Sequence, residues 1–128
     1  MARKNTEVFK VVDQADLSGD FTSVPTLIRN LDNISYQINA LSPGRDANGT
    51  FAVEASLDYA VDALTGVVTN EGNWIPLTLS GVPTLAGASD EIIINLNQLP
   101  FIAVRLAYTA VSGGGTCDAY IACKQVGG

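Results

Sequence analysis

The sequence contains no histidine among its 128 residues. That removes the commonest general base and the commonest metal ligand together. Charge is also scarce: Asp, Glu, Lys and Arg make up 16% of the chain, against about 25% in an ordinary domain. Basic residues are the rarer sign, seven against thirteen acidic, for a net charge of -6. A protein that holds nucleic acid through a broad basic face is therefore not expected. No apolar run reaches the ~18 residues of a membrane helix, and no apolar stretch of signal-peptide length follows the charged start Met1 to Glu7. The expected partners accordingly include neither nucleic acid nor membrane.

Nucleophiles lack the company that would activate them. The serines have no histidine and no Gly-x-Ser-x-Gly elbow. Gly113-Gly114-Gly115 precedes an alternating segment, whereas a phosphate cradle needs a helix after it. Asp13, Asp16 and Asp20, and separately Asp58 and Asp62, lack the spacing of a calcium loop. Glu54 and Asp58 lie roughly 13 Å apart along a strand, too far for a glycosidase pair. No enzyme, cofactor, catalytic residue or metal site is expected.

What is present is period-two patterning. Ile34, Tyr36 and Ile38 alternate with Ser35, Gln37 and Asn39. The same alternation runs through Phe51–Leu57, Ile75–Leu79, Ile92–Leu96, Ile102–Tyr108 and Cys117–Cys123. These are six half-buried strands with their apolar faces inward. The inward set is Ile34, Ile38, Val53, Leu57, Leu77, Ile94, Val104, Leu106 and Ile121. Glu7–Val12 and Phe21–Arg29 add two strand candidates, with Pro25 confining the second to an edge or bulge. Tyr59–Leu64 has room for one helical turn.

Turn residues separate the runs. Ser42–Gly49 closes a pair of strands, and Ser112–Gly115 suits a tight hairpin between the last two. The expected fold class is all-β, an antiparallel β-sandwich of about eight strands, jelly-roll-like, with an extended N-terminal arm. The division is an arm over residues 1–16 and a single sandwich domain over 17–128.

Cys117 and Cys123 stand six positions apart, roughly 20 Å along a strand, so they cannot meet the ~7 Å limit of a disulfide. Their shared parity makes them buried thiols on one face. Arg105 has outward parity: it can pair with Asp118 across the final hairpin, remain a solvated or register-setting charge, or make an intersubunit or sugar contact. Trp74, also outward, can be covered by its own chain, anchor an interface or stack on a sugar. Arg3, Lys4 and Lys10 carry three of the seven basic charges. Residues 1–7 are expected to lie across a neighbouring subunit, with Val8–Val12 adding a strand to a sheet edge, the chain's own or a neighbour's. The candidate partner-binding residues are Arg3, Lys4, Phe9, Trp74 and Arg105.

Several of these segments together resemble a family. Ser56-Leu57-Asp58-Tyr59, Asn73-Trp74-Ile75-Pro76-Leu77, Pro100–Thr109, Ser112–Thr116 and Tyr120–Lys124 are similar to segments of small virion proteins of tailed bacteriophages. In those proteins an S-x-D strand, a W-x-x-L strand and an R-L-x-Y-T-x-x-S-G-x-G-T hairpin build a β-sandwich. The resemblance covers about residues 34–124; the segment Ala2–Lys10 has no counterpart in it. It implies a non-enzymatic capsid decoration (cement) protein, assembled in the host cytoplasm and located on the virion surface. The implied partners are the major capsid protein and further copies of the chain. The alternative is a carbohydrate-binding or adaptor module of a phage tail or fibre, with a surface carbohydrate as partner.

Overall fold

The computed structural model describes residues 6–27, 31–44, 46–77, 79, 83–97 and 103–125. Its strands are β1 (Thr6–Asp16), β2 (Phe21–Thr22), β3 (Thr26–Leu27), β4 (Leu31–Leu41), β5 (Asn48–Ser56) and β6 (Ala60–Val61). They continue as β7 (Val68–Asn70), β8 (Ile75–Pro76), β9 (Thr84–Ala86), β10 (Asp90–Asn97), β11 (Ala103–Ser112) and β12 (Thr116–Gln125). No described segment is a helix; Tyr59–Leu64, with room for a helical turn, instead enters the short β6.

Two antiparallel layers face each other. The first has the order β1-β12-β4-β10. The second has the order β2-β11-β5-β8, with β3 also on β11 and β9 also on β5. Counting β2 with β3 and β8 with β9 as interrupted strands leaves eight strand positions in two layers of four. This is the all-β jelly-roll arrangement, in which chain neighbours switch layers except from β5 to β8 and β9. Pro25 causes one interruption: it lies between β2 and β3, on the edge side of β11, where its missing N–H costs no ladder bond. A small β6–β7 ribbon stands apart.

The core lies between the layers. Ile34, Ile38, Val53, Ile94, Val104, Leu106 and Ile121 are all buried, as their parity predicts. Tyr36, Phe51, Tyr108, Leu17 and Leu85 complete the largest buried side chains. Phe51 and Tyr108 rings pack at 4.7 Å, and Phe21 stacks on Tyr108 at 5.2 Å. Cys117 and Cys123 are both buried and unbridged. Burial pushes the Cys117 thiol up to about 12.

Two expectations about pairing are corrected. Ser112–Gly115 does not close a hairpin: β11 pairs with β5, β2 and β3 in one layer, while β12 pairs with β1 and β4 in the other. The same holds for Ser42–Gly49, since β4 and β5 also lie in opposite layers. Both links cross between layers, and they cross together. Ser42, buried, donates from Oγ to the Gly114 carbonyl at 2.7 Å and accepts from the Ala47 N–H at 3.0 Å. Gly115 has φ +144°, and a Cβ there would lie 2.2 Å from the Leu41 carbonyl oxygen. A glycine is therefore required at this position by the close approach of β4's end.

The core set is corrected at one end. Leu57 is 67% exposed and Leu77 only half-buried. Ile75, aligned with Ala55, is 68% exposed although it shares the inward side. The strand expected over Ile75–Leu79 is reduced to Ile75–Pro76. These residues have core parity, but no described part of the opposite layer covers them.

Residues 6–16, assigned to an arm, form an edge strand of the chain's own first layer, so Val8–Val12 join the chain's own sheet edge of the two edges weighed, with Val11 and Val12 in the core. The strand is not regular. Its register shifts after Lys10 and again after Val12, and Gln14 adopts φ 49°. Asp118 pins this distortion: its Oδ1 accepts from the Gln14 N–H at 2.8 Å and meets Lys10 Nζ at 3.3 Å.

Candidate interface

The pair weighed between Arg105 and Asp118 does not form, because β11 and β12 lie in different layers. Outward side chains of opposite layers point away from each other. Arg105 instead donates from Nε to Glu54 Oε1 at 2.7 Å, its directly registered neighbour on β5. Both groups are largely shielded, which strengthens such a pair relative to a fully exposed one. The Arg105 guanidinium also lies over the Trp74 ring at 4.5 Å, a cation–π contact.

Trp74 is half-buried and held by its own chain. Its indole N–H donates to the Glu71 carbonyl at 2.9 Å, and the Tyr59 ring approaches it at 5.6 Å. The loop beneath it is built by the S-x-D segment. Ser56 Oγ donates to Asp58 Oδ1 and accepts from the Tyr59 N–H. Asp58 then accepts two bonds from Asn73, one from the backbone N–H at 2.8 Å and one from Nδ2 at 2.7 Å. These donors, the Asn73 backbone first, hold the Asp58 carboxyl below its ordinary pKa. Gly72 takes φ +80°, and a Cβ there would fall 2.8 Å from Ser56 Oγ. The loop thus closes on itself and fixes the position of Trp74.

Phe9 lies on β1 and is 50% exposed. It borders a groove of about 430 Å³ together with Val24, Pro25, Leu27, Tyr59 and Val61. Tyr59 therefore connects Phe9 to Trp74 and Arg105, so three of the five expected partner residues are brought along one side of the molecule. Arg3 and Lys4 lie outside the described residues. Sequence reading missed Tyr59, Val24 and Leu27. The S-x-D turn marked Tyr59's position, but nothing local showed that β1 would pack beside it.

Next to this groove, Leu57, Ile75 and Leu77 line a second cavity of about 390 Å³ together with Ala55, Asp58 and Asn73. The candidate interface is accordingly mainly apolar, with the Arg105–Glu54 pair beside it, Asp58 bonded to Asn73 in one wall and Lys10, paired with Asp13 and Asp118, in the other. The carboxylates weighed as metal ligands have local tasks instead. Asp20 accepts from the Ala110 N–H, Asp16 from Ser18, Asp62 from Leu64, and Asp13 pairs with Lys10. Among the described residues, no three acidic or sulfur ligands converge.

No protein-family model and no curated protein matches the sequence. Solved structures do share the fold. The chain is similar to the SPBc2 prophage-derived protein YomS, with a TM-score of 0.53 and 9% identity over 95% of this chain and 96% of that one. It is also similar to part of a structure of infectious bursal disease virus, Gx strain, with a TM-score of 0.53 and 9% identity. That match covers 96% of this chain and 32% of the viral one. At such identity the likeness is one of fold.

Proposed function

We propose that this chain is a non-enzymatic structural virion protein that binds the outer surface of a phage capsid. It stabilises the shell by bridging neighbouring subunits of the major capsid protein, and it does so as a homo-oligomer assembled in the host cytoplasm. The observation that carries this reading is the jelly-roll shared over nearly the whole of both chains with a prophage-derived protein. The character of the surface supports it. Phe9, Val24 and Leu27 around one groove, and Leu57 and Ile75 around the next, are exposed apolar residues of the sort that fill a protein–protein contact. Attachment in many copies stabilises a shell by mass action. The alternative, a carbohydrate-binding module of a tail or fibre, has less support, because Arg105 already covers one face of the Trp74 ring.

The test uses capsids of the parent phage assembled without the protein. Full chain and a chain lacking residues 2–7 are each added, and binding is read by co-sedimentation across a salt series. The truncated chain is expected to fold, since most of β1 remains paired with β12. It is expected to bind more weakly, with the difference shrinking as salt screens Arg3 and Lys4 over ~8–10 Å. Equal binding by both chains would place attachment on the sandwich surface alone. No binding by either would reject the capsid reading.

A further inference from the structure

A sheet edge with free N–H and C=O groups is a template for pairing, and proteins ordinarily blunt it. Three of the four edges here are blunted. β1 is distorted twice and carries Lys10, β2 and β3 are two residues each around Pro25, and β8 and β9 are short with Pro76. The fourth, β10, is not blunted by any described residue. Asp90–Asn97 pairs with β4 through eight consecutive positions without a register shift. It contains no Lys, Arg or Pro, and its outward-facing Ile93 is 66% exposed.

We infer that β10 is the seam of a two-fold homodimer, pairing antiparallel with β10 of a second copy about Ile93. The near-symmetric pattern of the strand about its exposed Ile93 supports this occupant and this register. With Ile93 facing Ile93 of the second copy, Glu91 lies opposite Asn95 on the outer face, and Ile92 opposite Ile94 on the inner face. Asn95 already accepts from Ser35 Oγ at 2.5 Å through Oδ1, so its amide N–H group is the one that meets the facing carboxylate. A parallel pairing in register would instead set Glu91 against Glu91 of the second copy, which is destabilising. The result is one continuous eight-stranded sheet across an isologous interface. The inference deepens the homo-oligomer part of the preceding reading, and its failure leaves capsid attachment standing.

Sedimentation of the full chain over the micromolar range should show a dimer. Ile93→Lys should weaken it by at least about tenfold in Kd, with far-UV circular dichroism unchanged because the side chain is exposed. Val8→Lys on β1 should leave it intact. Under mild oxidation Ile93→Cys should cross-link to a covalent dimer, and Val8→Cys should not. A chain that stays monomeric throughout would overturn the proposal, as would a dimer indifferent to Ile93→Lys. Larger assemblies disrupted by Val8→Lys would also overturn it, since they indicate head-to-tail pairing of β10 with β1.

Discussion

Leu106 and Tyr36 are both fully buried, yet they contribute in opposite senses. Leu106 faces the interlayer core from β11, and Leu106→Ala is expected to cost about 2–5 kcal/mol, read as a lowered denaturation midpoint. Tyr36 buries its ring well, but its hydroxyl has no hydrogen-bond partner among the described residues. Burial pushes that phenol's pKa up. An unmet buried hydroxyl costs about 1–3 kcal/mol, so Tyr36→Phe should leave stability unchanged or raise it by about 1 kcal/mol. A clear loss would show that the hydroxyl has a partner in solution. Asp58 and Asp118 both have carboxyls held below their ordinary pKa, by Asn73 and by the Gln14 N–H respectively. Their folded values lie below the unfolded ones, so the stabilisation is complete above the ordinary value of 3.8. It disappears as pH falls through the folded values. A thermal melt series below pH 4 should therefore slope downward for the natural chain, and less steeply for Asp58→Asn.

At the scale of elements, strand existence and parity were legible, while pairing was not. The alternation in β4, β5, β10, β11 and β12 marked each strand and its buried side. It could not say which layer a strand joined, because inward parity reads the same from either layer. Hence Ser112–Gly115 looked like a hairpin turn although it is a crossing held by Ser42. For the same reason Arg105 was matched with Asp118 instead of Glu54. The cysteines were within reach of local reasoning, since β12 is continuous from Thr116 to Gln125. Thiol counting in denaturant without reductant should find two free groups per chain. The folded protein should react slowly, because Cys117 is buried and remains a thiol at neutral pH.

For the whole molecule, the candidate interface depends on where one layer ends. Leu57 and Ile75 follow the core pattern of their strands, yet they are exposed because no described part of the opposite layer extends over them. The apolar cavity they line and the groove beside Phe9 adjoin through Tyr59, Asp58 and Asn73. Such a surface gains from contact with a partner in proportion to the apolar area withdrawn from water.

The sequence by itself determined the all-β class, the count of about eight strand positions, most of the core and the absence of a disulfide between the cysteines. Each of these follows from period-two burial and chain geometry over a few neighbouring residues. Only the tertiary structure decided the jelly-roll order, the Arg105–Glu54 pair over Trp74, the distorted β1 edge and the regular β10 edge. These depend on contacts between residues far apart in the chain, such as Glu54 with Arg105 and Gln14 with Asp118. No local pattern encodes which distant strand will be the neighbour.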